Sequence, residues 1–297
     1  MKPQIDPKVD CVFKAILGSE QHLTLLRHFL NAVLARDPGR RIQEVELLNP
    51  YNEREFESAK LSVVDVKARD EAGRWYQIEI QLAVHPGLAS RILYTWSTVY
   101  HGQLAKGQNF TALRPVIAIW LLNETLVAAP GAYHLPFMLW NREHGLLLSE
   151  DLRIDALQLS EWPGPRGNYD ELDRWLYLFR EGEQVDVDAP PAILQTEEMK
   201  EAMYVLQHFS ENERQYLLYQ KRLDALRVEA TWKTTIEQLQ AQVATAERRE
   251  TQAKQRADEA KQLADEAKQR AEQERQEKEH LLKLLQQAGI DPKQTTT

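Results

Sequence analysis

Residues 65–81 read DVKARDEAGRWYQIEIQ, two short β-like runs on either side of a polar turn. The turn ends in Gly73, which can take a positive φ with no Cβ penalty. In the second run side chains alternate, so Trp75, Gln77, Glu79 and Gln81 share one face while Tyr76, Ile78, Ile80 and Leu82 share the other. In the first run Asp65 shares a face with Val63 and Lys67, and Val64, Val66 and Ala68 lie opposite. Paired as a hairpin, the runs set Asp65 close to Glu79 or Gln81, according to a register that the sequence leaves open. The bland explanation is the wet face of an antiparallel sheet. Two facts weigh against it: Asp is depleted in strands, and carboxylates on neighbouring strands repel unless a cation joins them.

A hard cation such as Mg²⁺ takes carboxylate and carbonyl oxygens and keeps several of its waters. Asp65 and Glu79, with the backbone carbonyl of Ile80, would form an open site of that type. Metal-bound water could then attack a phosphodiester while the cation neutralises charge developing on the phosphate. Gln81, two residues beyond the glutamate, is placed to orient that water or touch the phosphate.

Outward from the hairpin, the pattern predicts an α/β domain over residues 1–184. Apolar residues keep helical spacing from Asp10 to Leu34, with an interruption at Gly18–Ser19 and Ser19 as a cap. Strands are expected at 42–48, 61–68, 74–84, 115–122, 133–140 and 152–159, and a helix over 88–106 that ends near Gly107. Residues 185–230 read as a linker (VDVDAPPAI) and then helix. From 231 to 287 the chain changes character: ADEAKQ occurs at 257–262 and again at 264–269. Ile236, Leu239, Val243 and a run of alanines form a heptad seam, broken by Glu250, Glu274 and Lys278. The favoured reading is a coiled coil that pairs copies of the chain, and the alternative is a solvated helix held by i,i+4 charge pairs. Residues 288–297 read as a flexible C-terminus.

Asp65 followed by Glu79-Ile80-Gln81 resembles the PD-(D/E)xK nuclease signature, with Gln where Lys is usual. The chain is similar, more closely, to the Rpn (recombination-promoting nuclease, putative transposase) family. The matching pieces are DCVFKAIL, AKLSVVDVKARDEAGRWYQIEIQ, and the run from Arg91 through Tyr94, Tyr100, Gln103 and Gly107 to LRPVIAI, about the first 125 residues in order. This resemblance implies a restriction-endonuclease-like core, with a central mixed sheet flanked by helices, and Mg²⁺-dependent DNA cleavage in which Mn²⁺ can substitute. It also implies a setting in DNA recombination or defence against mobile DNA. Asp65 and Glu79 are then metal ligands, Gln81 fills the third position, and Asp10 is a further acidic candidate. Glutamine neither acts as a base nor carries positive charge, so water activation falls on the metal or on substrate phosphate. Lys60, Lys67 and Arg91 are candidate DNA contacts.

Composition narrows the field. The net charge of −8 is carried mostly by the residues after 180, and an acidic chain argues against a broad nucleic-acid footprint while leaving room for a local one. Cys11, the single cysteine, excludes an internal disulfide and a cysteine zinc cluster. HExxH and GxxxxGK[ST] are both missing, which disfavours a zinc hydrolase and a P-loop ATPase. The longest apolar run, Val116–Leu122, is too short to span a bilayer, and no secretory leader is visible, so the expected compartment is the cytoplasm. A runner-up function is a noncatalytic oligomeric interaction protein on a nuclease-like scaffold.

Overall fold

The computed structural model describes residues 4–35, 41–49, 66–165 and 167–287. Its sheet is built around the quoted hairpin. Strands β1 (Val45–Leu47), β2 (Val66–Asp70) and β3 (Trp75–Gln81) pair antiparallel in turn. Strand β4 (Val116–Leu122) joins β3 in parallel. After β5 (His134–Met138) and a small two-stranded ribbon, β6 (Trp140–Asn141) with β7 (Leu146–Leu147), comes β8 (Leu152–Gln158). Strand β8 pairs parallel with β4 and antiparallel with β5. The resulting order is β1-β2-β3-β4-β8-β5, a mixed sheet as expected. Pro136 lies in β5, an edge strand, where a missing ladder donor is tolerated.

Helices cover both faces. On one side pack α1 (Asp10–Leu17) and α2 (Leu23–Val33), with α4 (Glu171–Glu181) and α5 (Glu197–Glu211) in the same apolar cluster; α3 (Leu88–His101) packs on the other side. The first layer meets Tyr76, Ile78, Ile119 and Leu121, the second Ala118, Trp120 and Leu122. Period-two alternation in β3 and β4 therefore sends neighbouring residues into different layers. Phe13, Phe29, Trp175 and Phe179 form an aromatic cluster in the larger layer.

Local chemistry explains the breaks. At Gly18 a Cβ would stand 2.8 Å from the Lys14 carbonyl and 3.2 Å from Val66 Cγ2, so only glycine lets α1 end against β2. Ser19 then caps a short 3₁₀ turn ahead of α2 through a bond from the Gln21 amide. Helix α3 ends at His101, earlier than the pattern suggests. Gly102 closes it, and Gln103 leaves the axis to exchange two hydrogen bonds with the backbone of Arg114. The linker-like stretch does not detach the helix beyond it. Ile193, Leu194, Met199, Met203, Leu206 and Phe209 all enter the main core.

Residues 1–226 and 227–297 form two units. Helix α6 (Glu213–Gln287) begins in the first, where Leu218, Tyr219 and Arg222 are buried. The hydroxyl of Tyr219 accepts from the Asp6 amide, and burial pushes its pKa up to about 12. In the second unit Ile236, Leu239 and Val243 are exposed. Among the described residues no helix is long and apolar enough to cross a membrane.

The hairpin turn is held by Asp70. Its carboxylate accepts from the amides of Ala72 and Arg74, from Arg74 Nε at 2.6 Å and from the Tyr76 hydroxyl at 2.7 Å. Burial and this bond raise the Tyr76 pKa. Gly73, at φ +79°, closes the loop. Replacing Asp70 takes this carboxylate away from a buried cation, so Asp70→Ala should cost about 3–5 kcal/mol. Tyr76→Phe should cost about 1.5–3 kcal/mol, the worth of a hydrogen bond to a charged group. Urea unfolding of each variant measures both losses.

Candidate active site

The strand WYQIEIQ carries the site because its alternation is forced by burial on both sides. Tyr76 and Ile78 belong to the large layer, whereas Gln77 and Glu79 lie on the Trp120 face beneath α3. Glu79 is only 3% exposed, although it is a carboxylate. Gln77 Nε2 donates to its Oε1 at 2.8 Å. Arg91, one turn into α3, brings Nη2 to 3.9 Å from Glu79 Oε2 and donates from Nη1 to Gln81 Oε1 at 3.3 Å. The guanidinium lies 5.8 Å from the centre of the Trp120 ring, a cation–π contact that limits its rotamers. Gln81 also donates to the Ala83 carbonyl at 2.9 Å, so its amide bridges α3 and the turn that leaves β3.

Glu79, Gln81 and Arg91 are thus brought together. The backbone of Ile80 runs between Glu79 and Gln81, with its side chain against the opposite layer. Lys67 stands opposite Gln77 in the β2–β3 ladder, on the same face as Glu79, and is half-buried. Its backbone amide donates to Asn49 Oδ1, which ties the β2 end to the chain after β1. Asp65 and Lys60 lie outside the described residues. Asp10 is on α1, in the layer on the other face of the sheet. Its carboxylate accepts from the Cys11 amide at 2.8 Å and stands 3.5 Å from Arg222 Nε. Burial raises its pKa, against the lowering effect of Arg222. Burial likewise pushes the neighbouring Cys11 thiol up, so this cysteine is chemically quiet.

Three residues near the site carry no signal in the short motif. Trp120 is hidden in an apolar run, yet its ring supports Arg91. Glu124 comes after β4 and accepts from the Val84 amide at 2.7 Å, fixing the turn after Gln81. Gln77 shares the period-two face of Glu79, and that alternation was the available signal.

Chemically, a buried carboxylate, a strand carbonyl and an amide oxygen make up a hard-oxygen donor set, the kind Mg²⁺ or Mn²⁺ takes. Gln77 Oε1 and Trp120 Nε1, both buried on this face, have no hydrogen-bond partner among the described residues, so the polar capacity of the face is not fully used there. Among the described residues no three of the His, Cys, Asp and Glu side chains gather as a complete metal set. These donors are of the chemical type a divalent cation takes, with Glu79 as their anionic member among the described residues.

A family model described as PD-(D/E)XK nuclease family transposase matches residues 7–238. No curated protein and no solved structure gives a significant match.

The Asp10 environment has a pH signature. A carboxyl whose folded pKa is raised contributes stability below its ordinary value of 3.8, and loses it as pH rises through the raised value. Asp10→Asn does not titrate. The stability of the wild type relative to this variant should therefore fall on going from below pH 3.8 towards neutrality, then level off. Paired urea titrations across that range would show it, and a difference that climbs with pH would reverse the assignment.

Proposed function

The chain belongs to the PD-(D/E)XK nuclease family transposases, and from that premise we propose that it is a metal-dependent DNA endonuclease hydrolysing phosphodiester bonds. The observation that carries this reading is Glu79, a carboxylate buried on an interior strand and oriented by an amide, with a guanidinium beside it. Burying a carboxylate costs several kcal/mol in real proteins. An apolar residue would fill the position without that cost.

In this reading Asp65 and Glu79 are the two anionic metal ligands, aided by the Ile80 carbonyl. A bound Mg²⁺ or Mn²⁺ would supply Lewis acidity and a water of lowered pKa. Gln81 orients the attacking water or a phosphate oxygen through its amide, which donates and accepts hydrogen bonds but is neither a general acid nor a general base. Arg91, whose side chain is 40% exposed, turns from Gln81 to a non-bridging phosphate oxygen. Lys67 and Lys60 add local positive charge, and Asp10 serves α1 through its ion pair with Arg222.

Plasmid cleavage with Mg²⁺, Mn²⁺ or EDTA tests the reading, alongside Asp65→Ala and Glu79→Ala checked for folding by circular dichroism. Nicking should require metal, and each variant should lose more than the about 10–100-fold typical of deleting an outer-shell partner. Equal cleavage by all three proteins would overturn the assignment of Asp65 and Glu79, and none by the wild type would favour a noncatalytic scaffold.

The same proposal includes self-association through the second unit. Ile236, Leu239 and Val243 are exposed on one helix at steps of three and four, a short seam of the coiled-coil kind. A second copy, offering the identical seam, covers it. Sedimentation equilibrium should find a dimer or larger oligomer, and the triple change Ile236→Glu, Leu239→Glu, Val243→Glu should give monomer with the fold of residues 1–226 intact.

A further inference from the structure

Gln77 has no place in the nuclease signature, yet its position is the most constrained beside Glu79. It is fully buried, and its Nε2 donates at 2.8 Å to Glu79 Oε1. A carboxylate only accepts, so the amide nitrogen must face Glu79 and the amide oxygen must face away. That oxygen is also buried and has no hydrogen-bond partner among the described residues. The parallel neighbour of Gln77 is Ala118, and the next residue on the same face of β4 is Trp120, both in the apolar α3 layer. A buried carbonyl that the described residues leave without a donor is destabilising as far as they go, and an apolar side chain of equal length would not carry that cost. Gln77 is therefore poorly explained as a contribution to stability. Its hydrogen bond to Glu79, along its own strand, fixes the plane of that carboxylate.

We propose that Gln77 is a positioning residue, which holds Glu79 in the orientation that binds the divalent cation at a cost in fold stability. This rests on the metal-nuclease reading above and extends it to a residue outside the motif. Outer-shell donors to a metal-binding side chain act in this way, by restricting the ligand and favouring its ionised form.

The test is Mn²⁺ binding to the full-length protein without DNA, by titration calorimetry, for wild type, Gln77→Met and Glu79→Gln. Gln77→Met keeps length and volume but removes both the donor and the orphaned oxygen. It should bind Mn²⁺ about 10–100-fold more weakly than wild type, with a urea midpoint equal to or above that of wild type. Unchanged affinity, with or without a lower midpoint, would overturn the proposal and leave Gln77 a structural residue. If wild type binds no Mn²⁺, or Glu79→Gln binds as well as wild type, the metal reading itself falls and this inference with it. Should Gln77→Met not fold, Gln77→Asn carries the same expectation of weakened binding, because it withdraws the amide by one methylene.

Discussion

Strand β3 is covered on both faces, and this constraint organises the molecule. A strand with period two must send every second side chain into each layer, so Gln77 and Glu79 are buried on the face beneath α3. A carboxylate there has to be compensated locally. Gln77 supplies a short hydrogen bond, and Arg91 supplies positive charge from α3. Placing Arg91 in turn requires α3 to cross this face and Trp120 to support the guanidinium. The turn after β3 is then fixed by Gln81 on Ala83 and by Glu124 on Val84.

Other buried carboxylates in the chain show what a purely structural solution looks like. Asp155 is fully buried in β8 and meets Arg153 at 2.6 and 3.0 Å and His134 at 2.7 Å, joining β8 to the edge strand β5. Asp70 accepts four bonds and closes the β2–β3 turn. Both face cations that are themselves largely buried and in hydrogen-bond contact. The guanidinium facing Glu79 is different: it stands 3.9 Å away, is partly exposed, and is shared with Gln81. A partner held in that way can be redirected, and this is the property that a proposed phosphate contact needs.

Much of the fold was legible because it rests on local rules. The hairpin, its Gly73 turn, the buried run Val116–Leu122 and the break at Gly18–Ser19 all follow from period, φ preference and apolar content. The less legible parts depend on distant partners. That α3 stops at Gly102 rather than near Gly107 reflects Gln103 binding the Arg114 backbone, a contact invisible in helical spacing. That α5 joins the main core after a linker-like stretch reflects apolar residues whose destination only packing decides. At the candidate site, the face shared by Glu79 and Gln81 could be read from alternation. The supporting roles of Trp120 and Glu124 could not, since one lies in an apolar run and the other in a loop.

The acidic balance of the chain bears on how the proposed substrate would be held. Net charge sets the long-range field, whereas affinity for nucleic acid depends on the number of phosphates neutralised at close range. On the described face of the site the cations are Arg91 and Lys67, a small set for a polyanion. Affinity that rested on these two alone would be weak, with a shallow salt dependence, unlike that of a protein gripping many phosphates. In the proposed reading a bound divalent cation would add to that positive charge, so that substrate binding and metal binding would reinforce each other. Glutamine at position 81 fits the same economy. With no lysine at that position, the orientation of Glu79 and the strength with which it would hold the proposed metal become the variables that matter most. Under the proposed positioning role of Gln77, both depend on one buried amide two residues earlier on the same strand.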